Sequence, residues 1–100
     1  MAGQILFNNI VVDATSDSFK SSGGKFIVNV RGDDFTGVTI NIQVASPNDP
    51  STPNRFATLE NGSFTDNGTR TMDFIPAGML VRAISSGVGA GDNIFCEVIQ

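Results

Sequence analysis

The stretch from Thr36 to Ser46, TGVTINIQVAS, decides the fold class of this chain. Val38, Ile40, Ile42 and Val44 alternate strictly with Thr39, Asn41 and Gln43. Successive side chains of a strand point to opposite faces, so the segment carries one apolar face and one wettable face. Such a strand belongs to an antiparallel sheet with a core on one side only. The spacing predicts Val38, Ile40, Ile42 and Val44 on the buried face.

Working outward, alternation and chain-breaking residues divide the sequence into about eight extended segments. They span 4–12, 25–31, 37–45, 55–60, 63–66, 69–75, 79–85 and 93–99, with turn-rich pieces at 13–24, 32–36, 46–54, 76–78 and 86–92. No stretch of ten residues carries a 3.6-residue period. Short strands at this spacing are those of a sandwich or small barrel. Residues 1–100 therefore read as one all-β domain, a single antiparallel β-sandwich of jelly-roll or Ig-like type. Its first segment, 1–12, is followed by the small, polar piece 13–24 and is a candidate for exchange onto a neighbouring molecule.

Two turn signals stand out. Asn61-Gly62 and Asn67-Gly68 each lie between β-like runs, and Asn-Gly is the preferred pair for a type I′ hairpin turn. Both central residues of that turn need positive φ, so Gly62 and Gly68 are expected there and residues 55–75 read as a compact meander. The piece 86–92 reads as a mobile hairpin loop. Three of the four prolines fall in 46–54, SPNDPSTPN, which reads as a stiff, extended surface excursion.

Composition agrees with the pattern. Ile, Val and Phe dominate the apolar residues, whereas Leu occurs only as Leu6, Leu59 and Leu80. β-branched and aromatic side chains fit a pleated, half-buried surface. Charged residues make up 16% of the 100, against about 25% in ordinary soluble domains. Such a surface either keeps the domain soluble through hydroxyls and amides or is covered by neighbours, and charge depletion, typical of buried contact patches, tips the reading slightly to the second. The net charge is −4, and Lys20, Lys25, Arg31, Arg55, Arg70 and Arg82 are scattered. No basic stripe exists that could follow a phosphate backbone, so nucleic acid is not an expected partner.

Chemistry is sparse. With no His, Tyr or Trp, the commonest acid/base group is missing and no Ser–His or Cys–His pair can be built. The Asp residues sit mostly beside Gly, Ser, Asn or Thr, where they serve turns. Asp33-Asp34 is the densest acidic spot, yet no loop offers the six or more oxygens that calcium wants. Cys96, the one cysteine, lies in an apolar run and reads as a small buried hydrophobe. We expect no catalytic residue, no cofactor and no metal. No apolar run approaches the ~18 residues of a membrane span, and MAGQILFNNIVVDA has no basic leader, so synthesis in a cytosol is expected.

Eight Phe carry all the aromatic content. Phe26 with Val28 and Val30, and Phe74 with Met72, alternate as core residues do. Phe7, Phe35 and Phe56 fall near strand ends or loops. Together with Ile5, Ile10 and Val12 they form the candidate interface set, apolar material that a single small core need not consume.

The order of these elements resembles a known group. The strand 37–46, a polar loop, Asn54-Arg55-Phe56-Ala57-Thr58-Leu59, Asn61-Gly62 and then Phe74-Ile75-Pro76-Ala77-Gly78-Met79-Leu80-Val81-Arg82-Ala83 lead to Ser86-Gly87. This is similar to small β-sandwich virion structural proteins of tailed bacteriophages, over roughly residues 23 to 99. There a "GATVTLQ-S" strand, an aromatic-x-x-Leu strand and a "PAG-x-x-VRA" strand recur in that order. The chain departs by placing Phe56 where a Trp is common and prolines where an Asp-Gly turn is common. The resemblance implies a capsid decoration (cement) or head–tail accessory protein, located in the virion, with the major capsid protein or another virion protein as partner. The expected assembly is a homo-oligomer, with a trimer favoured, or part of a larger shell. A reading from another class stays open: the receptor- or glycan-binding head of a tail or capsid fibre.

Overall fold

The computed structural model describes residues 3–46, 48 and 55–100. Eight strands form in chain order: β1 (Gly3–Ile10), β2 (Phe19–Lys20), β3 (Gly24–Arg31), β4 (Thr39–Ala45), β5 (Ala57–Phe64), β6 (Gly68–Ile75), β7 (Leu80–Ser86) and β8 (Ile94–Ile99). One sheet has the order β1-β8-β3-β6 and the other β2-β7-β4-β5, with every pairing antiparallel. The protein is an all-β sandwich, as the alternation predicts.

The pairings show which sandwich it is. First pairs with last (β1·β8), second with seventh (β2·β7), third with sixth (β3·β6) and fourth with fifth (β4·β5). That is one long antiparallel ribbon wrapped on itself, and the contacts β3·β8 and β4·β7 zip the wraps into two sheets. An eight-stranded double sheet of this kind is a jelly roll. The short axis of 20 Å is what two layers packed about 10 Å apart require.

The core lies between the layers. Phe26, Val28, Val30, Met72, Ile94, Cys96 and Val98 face inward from the first sheet, and Val38, Ile40, Ile42, Phe64, Val81 and Ala83 from the second. Val44 packs only partly against this core, near the end of its strand. The side chain of Phe74 and all of the proline-rich segment except Ser46 and Asn48 lie outside what the structure describes.

Three sequence expectations are corrected. Residues 55–60 and 63–66 do not form two strands around a type I′ turn; β5 runs unbroken through Asn61-Gly62. Asn61 alone takes positive φ, 63°, while Gly62 does not. A single left-handed residue makes a bulge, whereas a type I′ reversal needs two. Asn41 pairs with Ser63 and Gln43 with Thr58, so the extra residues of β5 bulge out opposite Ile42. Second, Gly68 also lacks positive φ, and β5 and β6 lie in different sheets. The segment 65–67 is a corner between layers, not part of a meander. Asn67 closes it, its Oδ1 accepting from Gly32 N at 2.8 Å.

Third, 86–92 is not a hairpin loop but a crossing from β7 to β8, and it is tied down. Asp13 accepts from Val88 N at 2.8 Å and Gly87 N at 3.2 Å, and Asp92 Oδ2 accepts from Gly89 N at 2.7 Å. By contrast the Pro76-Gly78 corner forms as read. Met79 N reaches Pro76 O at 3.5 Å, and Gly78 supplies the positive φ of 92° that the third position of a type II turn demands.

Candidate interaction surfaces

Edge strands and outward faces are where a sandwich meets partners. β1 pairs with its own β8, and this pairing carries two register shifts, between Ile5 and Phe7 and between Phe7 and Ile10. Asn9, at φ 55°, lies in the second. Bulges twist an edge away from further pairing. The segment after β1 is also anchored. Ser16 N donates to Ala83 O at 2.9 Å, Ser85 N to Ala14 O at 3.0 Å and Ala14 N to Ser85 Oγ at 2.8 Å, while Thr15 bridges Ile84. Residues 13–20 thus run along β7 and contribute β2, which alternation alone did not reveal.

On the far side of the sandwich, edge strands β5 and β6 are stapled by Arg70. Its guanidinium lies 4.2 Å from the Phe64 ring centroid, and Nη1 donates to Asn61 O at 2.9 Å and Ser63 O at 2.7 Å. Arg70 occupies the inward row of β6, opposite buried Val28, and escapes solvent exclusion by reaching past the strand edge.

The outward face of the β1-β8-β3-β6 sheet is chemically divided. One row is polar: Asn29 Nδ2 donates to Glu97 Oε1 at 2.9 Å, Thr69 Oγ1 to Asn29 Oδ1 at 2.6 Å, and Arg31 Nη2 to Thr69 Oγ1 at 2.9 Å. The adjacent row is apolar. Ile99 pairs directly with Ile27, and Ile5, opposite Glu97, is the diagonal neighbour of Ile99. Ile5 is 56% exposed and Ile27 39%. Beside them is an open depression of about 260 Å³ lined by Lys25, Phe26, Ile27, Thr71, Ile99 and Gln100.

The six residues singled out from sequence do not form one surface. Ile5 stands at the β1 end of the polar row, opposite Glu97, and touches the apolar pair only as the diagonal neighbour of Ile99. Phe7 is buried in the core and faces no partner in this arrangement. Ile10 is half-buried against the core, and Val12, 64% exposed, follows the end of β1. Phe35 packs partly on the core. Phe56 lies across the sandwich on the other sheet, with the Arg82 guanidinium 3.9 Å from its ring centroid. Ile27 and Ile99 were missed, although the alternation in KFIVNVR and IFCEVI already places them opposite the buried set.

The acidic spot is occupied by turn contacts. Asp33 Oδ2 accepts from Asn93 Nδ2 at 2.8 Å, and Asp34 Oδ1 from Thr36 N at 2.9 Å, which holds the Asp34 carboxyl below its ordinary pKa. Among the described residues no group of three His, Cys, Asp or Glu is placed to hold a metal ion. The Cys96 thiol is pushed up to about 12, first by burial and then by neighbouring Glu97, so it stays protonated and unreactive near neutrality. No family model matches the chain, and neither a curated protein nor a solved structure matches it.

Proposed function

We propose that this protein is a non-enzymatic virion structural protein, a capsid decoration or cement protein of a tailed phage that stabilises the head by bridging capsid subunits. The observation that carries the reading is the apolar patch of Ile27, Ile99 and their diagonal neighbour Ile5, left open on a sheet face beside the polar ladder Glu97–Asn29–Thr69. An apolar centre with a satisfied polar rim is the anatomy of a protein–protein contact. The low charge content and the sequence resemblance over residues 23 to 99 point the same way. Jelly rolls occur in viral capsids and in lectins alike, so the fold by itself does not choose.

In this proposal the contact is through the sheet face, with β1 kept within its own sandwich. β1 is held by β8, its edge is bulged, and residues 13–20 are bonded to β7. Freeing β1 would also pull Phe7 out of the core. Covering one exposed Ile is worth about 1.5–3 kcal/mol at most, so one patch gives a weak single contact. A homo-oligomer, a trimer in the simplest case, makes such contacts simultaneous on a shell and multiplies their effect.

The test is co-sedimentation of the purified protein with mature particles and with empty shells, alongside a map of particles carrying a tagged copy. Binding is expected for the native chain and lost in Ile5→Asp/Ile27→Asp, which alters only outward positions, with density at capsid local-symmetry axes. A monomer with no affinity for any capsid or tail component would end this reading.

A further inference from the structure

The outward face of the second sheet carries different chemistry. Arg82 stands on β7 in the row opposite buried Val81 and Ala83, directly across from Gln43 on β4. Its Nε donates to Gln43 Oε1 at 3.0 Å, and its guanidinium rests on Phe56 at 3.9 Å. These two contacts fix the plane of the group while using one of its five N–H donors. Among the described residues nothing accepts from Nη1 or Nη2.

Arg82 and Phe56 form one wall of an open groove of about 230 Å³, completed by Ser16, Asp17 and Ser18. That second wall is held by the backbone. Ser16 N donates to Ala83 O at 2.9 Å, Ser16 Oγ accepts from Ala83 N at 2.8 Å and donates to Asp17 O at 3.0 Å. Ser16 is thereby spent. The Asp17 carboxylate and the Ser18 hydroxyl have no protein partner among the described residues. Arg82 and Asp17 both line the groove, yet no ion pair joins them. The site therefore offers oriented N–H donors, a carboxylate acceptor and a hydroxyl beside an aromatic ring.

That mixture selects its ligand by charge. An anion drawn to Arg82 meets Asp17, and a cation drawn to Asp17 meets Arg82; each arrangement sets like charges together. A neutral vicinal diol suits both walls, because each hydroxyl accepts from a guanidinium N–H and donates to a carboxylate. The volume lies below the ~300–1,000 Å³ of sites for drug-sized ligands, which fits one sugar ring continuing into solvent. We propose that this groove is a saccharide subsite that takes a vicinal diol of a neutral hexopyranose, with Arg82 and Asp17 on adjacent hydroxyls and Phe56 as the apolar wall. The groove and the patch of Ile5, Ile27 and Ile99 lie on opposite layers, so this inference does not depend on the shell contact.

The experiment is an amide and Arg Nε–H NMR titration of the full chain with methyl glycosides of glucose, galactose and mannose, with sodium acetate and inorganic phosphate as charged probes. Shifts confined to Ser16–Ser18, Phe56 and Arg82 with at least one glycoside are expected, at millimolar affinity. Asp17→Asn, at an exposed site with no structural bond to its carboxylate, should weaken that binding at least about tenfold, and Arg82→Gln likewise. Binding of acetate or phosphate alone would make the groove an anion site and overturn the proposal. So would the absence of any shift with all three glycosides, or glycoside binding that both variants retain in full.

Discussion

Replacing Gly62 and Gly68 one at a time by Ala separates the bulge from the hairpin turn that the sequence suggests there. An ideal Cβ on Gly62 lies 3.0 Å from Ile42 O, Leu59 Cβ and Leu59 O. Two of those three atoms are backbone, so β5 must shift against β4 to admit a methyl group. Forced repacking of this kind costs about 1–3 kcal/mol. The stiffer unfolded chain of Ala returns about 0.4–1 kcal/mol. The net expectation for Gly62→Ala is a loss of about 1–2 kcal/mol. Gly68 is different: its Cβ would come no closer than 3.7 Å to Phe64, and its φ is not left-handed. Gly68→Ala should therefore keep only the entropic gain and stabilise by about 0.4–1 kcal/mol.

With no Trp or Tyr to report by fluorescence, calorimetry and far-UV circular dichroism are the assays. At about 4–8 °C per kcal/mol for a domain near this size, Gly62→Ala should lower Tm by some ~4–16 °C and Gly68→Ala raise it by a few degrees. A pair of type I′ turns predicts instead that both variants suffer alike, since both glycines would need positive φ. Equal losses, or a neutral Gly62→Ala, would refute the bulge.

Ile40→Ala should cost about 2–5 kcal/mol in urea denaturation, because Ile40 is fully buried, while Asn41→Ala on the outward face should cost little. Arg70→Ala removes two hydrogen bonds and the stacking on Phe64 at an exposed edge; a loss of about 1–2 kcal/mol is expected, with Arg70→Lys recovering part of it in the same melts. Burial raises the Cys96 thiol from 9.0 to about 12, so its contribution to stability is complete below pH 9 and is lost as pH climbs toward 12, where the unfolded thiolate is favoured. Iodoacetamide at pH 8 should accordingly leave the folded chain unlabelled and modify it fully in denaturant, as intact mass would show.

The strands legible in the sequence were those with one face in the core. VTINIQV, KFIVNVR, LVRAIS and IFCEVI alternate because each is buried on one side, and a slip of one residue would invert every side chain. β2 escaped because it is two residues long and its partner β7 supplies most of the order. The turn at Asn61-Gly62 misled because one Asn at positive φ serves a bulge as well as a reversal; only the partner strand β4 tells them apart. Sheet assignment was not legible either. Corners such as 65–67 and 76–78 carry ordinary turn residues, yet each moves the chain to the other layer.

The same distinction explains the surface. Phe7 was read as spare apolar material since position in a strand is visible from sequence but the register of an edge strand is not, and two bulges set that register. Arg82, in contrast, was placed outward by its pleat alone, although Gln43 in β4 and Phe56 before β5 orient it and residues 16–18 beside β7 complete its groove. The wrapped ribbon is what gathers them. By pairing β7 with both β2 and β4 it brings the segment after β1 beside the strand after Pro76, across 60 to 69 residues of sequence. It also puts the exposed isoleucines Ile5 and Ile27 on one layer and the groove of Arg82, Asp17 and Ser18 on the other. A protein that rests one layer on a shell holds the opposite layer to solvent. The proposed shell contact therefore predicts one orientation, which the saccharide subsite does not itself require: particles coated with the protein should leave Asp17 and Arg82 accessible and Ile5 and Ile27 covered.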